Sequence, residues 1–297
     1  MKNILVTGAN SYIGTSFEKY MAQWPEEYQV DTIDMVDGSW RGKSFTDYDS
    51  VLHVAGIAHI STKKLDQQGR EKYWQVNAFL PVDIAQKAMD EGVKQFIFLS
   101  SMSVYGEHGS IKHPVVITKE TEPTSKDIYG KSKLKAEEGL QLLSSKSFSV
   151  CVLRPPMIYG QGCKGNYQLL RKAALRLPIF PDINNERSIL FIDNFCAFMK
   201  VVLDDGLSGI HFPQNSEYAC TSEMVRQIAL AHGRKVRLTK AFNPLLRLLS
   251  GRVNVADKVF GSLLYDKSLS FTSSPYNTAD FRSSIYSSEG IRPNANS

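Results

Sequence analysis

The chain has 297 residues, 42% of them apolar and 22% charged, with 35 Lys and Arg against 30 Asp and Glu for a formal net charge of +5. That length and balance allow a large buried core and about two domains, and exclude disordered, collagen-like and coiled-coil classes. The basic excess is dispersed, and its densest cluster is Lys131-Ser-Lys133-Leu-Lys135, which argues for small anionic ligands rather than nucleic acid.

Asn3–Val6 reads as a strand, followed by a glycine-containing turn and a helix to about Gln23. Val30–Asp34 and Ser50–Ala55 are the next strand-like runs. From about Gln67 to Glu91 the spacing predicts a helix interrupted at Pro81, with Gly92 as its stop. Gln95–Ser100 is an apolar run too short for a helix and rich in strand formers. Leu134, Leu140 and Leu143 give Tyr129–Ser144 a helical period, and Phe148–Leu153 is the following strand. Strands alternating with helices require crossover connections, so this half is expected to be a parallel sheet covered on both faces.

Past Arg154 the pattern changes. Pro155, Pro156, Gly160, Gly162 and Gly165 crowd a loop, and a helix of about Gln168–Arg176 follows. Ser188–Phe191 reads as a strand and Asp193–Leu203 as an apolar helix ending near Gly206, with Phe195, Phe198, Val201 and Val202 as core. Thr221 or Ser222 is expected to cap a helix running to His232. The tail from Ser268 is rich in Ser, Asn and Thr and carries weak signals. Trp74 fits a buried helical face.

Cys151, Cys163, Cys196 and Cys220 lie far apart without metal-ligand spacing, as in a reduced cytoplasmic enzyme with no metal. His59, His108 and His113 likewise show no ligand spacing and are read as solvated or core side chains. The N-terminal apolar run is too short for a signal peptide, and no stretch approaches the roughly 20 apolar residues that cross a bilayer. A cytoplasmic protein with no membrane insertion is expected.

Thr7-Gly8-Ala9-Asn10-Ser11-Tyr12-Ile13-Gly14 lies between the first strand and the first helix. A helix start offers unpaired N–H groups and a positive dipole end, so Gly8, Asn10, Ser11, Tyr12, Ile13 and Gly14 are candidates to hold a pyrophosphate. Ser11 stands where the usual pattern has its middle glycine. Asp34, at the end of the second strand, is placed to accept both hydroxyls of an adenosine ribose, and no Arg follows it immediately, which favours NAD over NADP. Farther on, Tyr129 and Lys133 are one helical turn apart and share a face. A free phenol has a pKa of about 10, too high for a base near neutrality. A neighbouring ammonium and a cationic nicotinamide ring favour the phenolate, which makes Tyr129 a plausible proton acceptor. Ser100, Ser101 and Ser103 follow the preceding strand, and any of them is a candidate to bond the same substrate oxygen.

Together these pieces resemble the extended short-chain dehydrogenase/reductase superfamily, specifically its nucleotide-sugar epimerase/dehydratase family. The matching segments are Thr7–Gly14, His53-Val-Ala-Gly56, Ser101-Met-Ser-Val-Tyr-Gly106, Tyr129-x-x-x-Lys133, Arg154-Pro-x-x-x-Tyr-Gly160 and Arg187-Ser-Ile-Leu-Phe-Ile-Asp193, in family order. The resemblance implies an α/β fold: a Rossmann-type doubly wound parallel sheet with a smaller C-terminal substrate-binding domain. The first would take residues 1–155 joined by 189–212, the second 156–188 and 213–297. It selects Ser101 as the catalytic hydroxyl beside Tyr129 and Lys133. It places Ala55 and Asn77 with the turn, Asp34, Tyr129 and Lys133 around NAD. Ser101, Ser103, Asn166 and Arg187 are placed on the substrate, Arg187 because a guanidinium fork suits phosphate oxygens. Two departures stand out. The aspartate expected before Asp47 to meet adenine has no counterpart in Asp37–Gly42, and the second phosphate-binding cation of many relatives corresponds to either Lys258 or Arg252. A homodimer through helices near 70–90 and 129–144 is a further expectation from the resemblance.

Related 4,6-dehydratases carry an Asp-Glu pair after the catalytic hydroxyl, where this chain has Met102 and Ser103. Neither is an acid or base, so water elimination is disfavoured. The expected activity is NAD-dependent epimerisation at C4 of a UDP-hexose or UDP-N-acetylhexosamine through a 4-keto sugar. The alternatives are an NAD(P)H-dependent 4-ketoreductase of a UDP- or dTDP-deoxy-4-keto sugar and, from another class, a non-catalytic dinucleotide-sensing protein.

Overall fold

In a computed structural model of the chain, residues 1–58, 65–106, 109–252 and 254–291 are described. His59 and His108 lie outside them, and His113 is exposed. The chain divides into two compact units. The first comprises Met1–Gly106, Glu122–Pro155 and Cys196–Pro213, and the second Glu107–Thr121, Pro156–Phe195 and Gln214–Ser297. Segment Glu107–Thr121 thus groups with the second unit, although chain order had kept it with the first. Its strand Val115–Ile117 pairs with Leu263–Tyr265, far along the chain.

Six parallel strands form the sheet of the first unit, in the order Gly209–His211, Ser149–Leu153, Gln95–Leu99, Ser50–His53, Lys2–Thr7, Tyr28–Ile33. Central strands Ser50–His53 and Gln95–Leu99 are buried at every position, as expected where helices cover both faces. The edge strands Tyr28–Ile33 and Gly209–His211 are partly exposed. This is the doubly wound, Rossmann-like architecture. One core face packs Leu5, Val51, Phe96 and Val150 from strands against Ile84, Ala88, Ala136 and Leu140 from helices. The strand order reverses between Lys2–Thr7 and Ser50–His53, the kind of crevice in which open α/β sheets bind ligands.

The expected break at Pro81 takes a different form. Helix Gln67–Trp74 runs into a π-helical turn, Gln75–Phe79, and on into Leu80–Asp90. Proline lacks an N–H and clashes with the carbonyl four residues back. A widened turn just before it lets the chain continue without a break, and it carries Asn77. Trp74 is half-exposed rather than buried, beside Arg70, Ile128 and Lys131.

The second unit is built from short two-stranded parallel pairs: Val115–Ile117 with Leu263–Tyr265, Met157–Tyr159 with Ile189–Phe191, and Ile179–Pro181 with Arg237–Thr239. Polar side chains hold its interior. Tyr159 bonds Ser284 at 2.6 Å and accepts from Asn215 at 3.1 Å, while the fully buried carboxylate of Glu289 accepts from Tyr167, Arg171 and His232. Helix Thr221–Ala231 is not capped by its own Thr221 or Ser222. The Thr221 N–H donates to Asn185 instead, and the two hydroxyls donate to the carbonyls of Val259 and Pro181. The weakly patterned tail contains a helix, Phe281–Ser288, whose Asp280 cap accepts from the Ser283 N–H at 2.7 Å. Phe195, Phe198, Val201 and Val202 are buried. The four cysteines are free thiols, and no cluster of metal-ligating side chains occurs among the described residues. No helix among them is long and apolar enough to cross a membrane.

Candidate active site

The turn after the first strand is held from two sides. Gly8 and Ala9 both donate their N–H to the Ile33 carbonyl, at 2.9 and 3.1 Å, so the end of the second strand and the adjoining exposed Asp34 lie against the turn. Gly8 has a φ of +101°, and a Cβ there would stand 2.9 Å from the Ala55 backbone nitrogen. Only glycine permits both the left-handed backbone and that approach. Asn10 takes the other left-handed position, at φ 63°, where Asn is tolerated. Ser11, in place of the expected glycine, is the N-cap of helix Tyr12–Met21 and accepts from the Gly14 N–H at 3.1 Å. The serine therefore occupies one of the helix's orphan donors, and the remaining start of the helix keeps the positive dipole end that suits a pyrophosphate. This turn and the Asp34 carboxylate beside it fit a dinucleotide.

Ser100, Ser101 and Ser103 separate cleanly by environment. Ser100 is buried and its hydroxyl donates to Glu137, which removes it from contention. Ser101 Oγ donates to Ser103 Oγ and accepts from the Ser103 N–H, both at 3.1 Å, and both serines are partly exposed. Helix Ile128–Leu143, capped by Asp127 on the Gly130 N–H at 2.8 Å, brings Tyr129 to Ser101. Gly130 makes this approach possible: a Cβ there would lie 2.4 Å from the Ser103 carbonyl oxygen.

Lys133 is buried one turn farther on, its ammonium donating to the Leu99 carbonyl at 2.8 Å and lying over the Phe98 ring. Burial pushes its pKa down to about 8, while the Glu137 carboxylate acts in the opposite sense. Burial raises the pKa of Tyr129, the Ser101 hydrogen bond opposes that, and the Asp127 carboxylate adds to it. Burial thus favours the phenol form of Tyr129, and the expected phenolate calls for a cationic nicotinamide ring as well as Lys133. A low-dielectric site disfavours the charged form, and the Lys133 ammonium is engaged with Leu99.

Asn77 is fully buried, accepting from the Ile57 N–H at 2.7 Å and donating to the Ile57 carbonyl at 2.9 Å. Both ends of its amide are spent on the loop after strand Ser50–His53, so Asn77 shapes the wall next to Ala55. His53, at the end of that strand, bonds Thr7 Oγ1 at 2.7 Å and stacks against Phe96 and Phe98. Burial, aided by the Lys133 charge, lowers its pKa to about 3, so it is neutral.

Sequence reasoning assigned no role to Glu137, which proves central. Arg154 donates to it from Nη2 at 2.5 Å and from Nε at 3.2 Å, and reaches Tyr105 Oη from Nη1 at 2.8 Å. This buried pair locks Arg154, just past the end of strand Ser149–Leu153, to the helix bearing Tyr129 and Lys133. The signal was present in the spacing: Glu137 lies four residues past Lys133, a carboxylate on the buried face of that helix.

In the second unit, Arg187 is fixed by its backbone, which pairs with Ala219 at 2.9 Å in both directions. Its Nη1 donates to the Gly261 carbonyl at 2.8 Å, burial lowers its pKa, and no carboxylate pairs with it among the described residues. Asn166 is the exposed first residue of helix Asn166–Arg176, which begins two residues earlier than expected. Lys258 and Arg252 are exposed. Lys267, which sequence reasoning passed over, is an exposed cation 3.9 Å from the Tyr218 ring centre that donates to the Asn215 carbonyl.

Comparison with known proteins agrees with this geometry. The chain is 28% identical over 289 residues to a UDP-glucose 4-epimerase of Vibrio cholerae, covering 89% of this chain and 87% of that protein. Its fold matches a UDP-glucuronic acid 4-epimerase from Bacillus cereus in complex with NAD, with a TM-score of 0.72, 16% identity and 97% of each chain covered. It also matches a dTDP-4-dehydrorhamnose reductase from Clostridium acetobutylicum, with a TM-score of 0.71, 16% identity and 97% and 98% covered. Residues 4–214 match the sequence pattern of the NAD dependent epimerase/dehydratase family, and the chain belongs to that family.

Proposed function

We propose that the chain is an NAD-dependent nucleotide-sugar epimerase acting at C4 of a UDP-hexose or UDP-N-acetylhexosamine. The observation that carries this reading is the partly buried Tyr129, whose hydroxyl lies within the influence of Ser101, with Lys133 buried one turn behind it. Met102 and Ser103, which follow Ser101, supply no acid for elimination. NAD, when bound, supplies a reversible hydride acceptor. Tyr129 Oη takes the proton of the C4 hydroxyl and later returns it, and the Ser101 hydroxyl holds the same oxygen through both steps. A positive charge beside Tyr129 favours the phenolate that burial disfavours. Lys133 adds to that charge and holds the ribose. The turn Gly8–Gly14 and Asp34 hold the rest of the dinucleotide, with Ala55 and Asn77 shaping the wall. Ser103 is assigned to the sugar, and Arg187 and Asn166 to the diphosphate. A partly buried guanidinium without a carboxylate is a site for an anion.

A second reading, 4-keto reduction of a deoxy sugar, is favoured by the fold's likeness to a dTDP-4-dehydrorhamnose reductase. The same proton-transfer residues serve either direction. The deciding experiment denatures the purified chain, measures released dinucleotide, and assays UDP-hexoses without added cofactor. Stoichiometric NAD release with conversion of the sugar to its C4 epimer is expected. Turnover that consumes added NADPH one for one overturns the epimerase in favour of the reductase.

A further inference from the structure

From Gly233 to Ala256 the chain carries six Lys or Arg and no Asp or Glu. Arg234, Lys235, Arg237, Lys240, Arg247 and Arg252 are all exposed, and none forms an ion pair among the described residues. Within this stretch a short turn, Lys240–Phe242, leads into helix Asn243–Leu249, and neither contains a buried residue. Phe242, Leu245 and Leu248 are 44%, 56% and 59% exposed. Spaced three apart, they fall along one side of that element. The ribbon feeding the turn adds Ile179, 45% exposed and paired in register with Arg237.

No carboxylate forms an ion pair with these cations among the described residues. Asp257 is turned inward onto the Ser250 hydroxyl and the Gly251 N–H, both at 2.7 Å. Asp182 meets the region through its backbone, which bonds Thr239 and Asn243. Exposed large apolar side chains in a stretch whose charged residues are all cations without ion pairs match a surface that offers acyl chains beneath anionic headgroups. A protein partner would leave six like charges to be met by acids of its own.

We propose that this face docks the protein on an anionic lipid surface, with Phe242, Leu245 and Leu248 at the acyl boundary and Lys240 and Arg247 on lipid phosphates. The helix lies on the bilayer without crossing it, being far shorter than the roughly 20 residues that span one. The inference stands apart from the sugar chemistry.

The test is co-sedimentation of the full chain with vesicles of phosphatidylcholine alone, or with phosphatidylglycerol at about one-third of the lipid. Binding to the anionic vesicles at least about tenfold stronger than to the neutral ones, and weakened by salt, is expected. Leu245→Glu/Leu248→Glu and, separately, Lys240→Glu/Arg247→Glu abolish that binding while leaving the circular dichroism spectrum and turnover of soluble substrate unchanged. Equal binding to both vesicles, no binding, or binding indifferent to both double variants overturns the proposal. A concentration-dependent dimer dissolved by Leu245→Glu/Leu248→Glu, without vesicle binding, also overturns it and assigns the face to a second copy of the chain.

Discussion

Lys133 in the sheet unit and Arg187 in the second unit are both cations withdrawn from water, yet their surroundings treat charge differently. Lys133 sits among apolar sheet residues with a carbonyl and a stacked phenyl ring for company, and its pKa falls to about 8. The same burial raises the pKa of the tyrosine one turn away. Arg187 is pinned in a polar lattice of short strand pairs, and its guanidinium stays charged under any physiological condition. In the roles proposed for them, the buried lysine attends proton transfer and the permanently charged arginine holds an anion.

The sharpest attempt to break this division is Tyr129→Phe. Losing the proton acceptor lowers kcat by about a thousandfold or more, while equilibrium binding of the nucleotide sugar, measured by calorimetry, stays within a few fold. A variant that keeps its turnover moves the chemistry away from Tyr129. Arg187→Met is the reverse probe. Affinity for the nucleotide sugar drops about a hundredfold, the order of a lost charge-assisted phosphate contact, with kcat much less affected. Because the guanidinium has no carboxylate partner, the unliganded variant is as stable as the parent or more so, by up to about 1 kcal/mol in urea unfolding. A large loss of stability instead makes Arg187 a structural residue.

Next in size is a pH effect that belongs to the sheet unit. His53 has its folded pKa lowered from 6.5 to about 3, so the unfolded chain binds a proton that the folded chain refuses. Its contribution to stability is complete above pH 6.5 and is lost as the pH falls from 6.5 toward 3, a change on the order of a few kcal/mol. His53→Gln flattens the slope of the urea midpoint across that range, whatever it does to stability at neutrality. An unchanged slope shows that other groups carry the acid sensitivity. The smallest effect is at the turn: Ser11→Ala removes the acceptor for the Gly14 N–H and costs about 1 kcal/mol, whereas Ser11→Gly, which restores the usual glycine, costs only a few tenths. Equal thermal shifts for the two would mean that the cap is not what the serine contributes.

Strands that lie at the centre of the sheet were readable because burial on both faces leaves continuous apolar runs such as Gln95–Leu99 and Ser149–Leu153. The turn at Gly8–Gly14 and the Tyr129–Lys133 pair were legible for a similar reason: both are local, and spacing alone sets what a turn or a helix face presents. The short strands Val115–Ile117, Ile179–Pro181 and Leu263–Tyr265 were not, since three residues carry no period and find partners far along the chain. The cap of helix Thr221–Ala231 was misread because Asn185, remote in sequence, supplies it.

The sequence by itself determined the family of chemistry, the order of its parts and the absence of an acid after Ser101. Tertiary structure alone decided that Ser100 is spent on Glu137, that Asn77 clamps Ile57 from a widened helical turn, and that burial raises the pKa of Tyr129. Residue type and spacing fix what a group is able to do, but its pKa and its partners depend on which distant residues exclude water from it, and only the folded chain sets those.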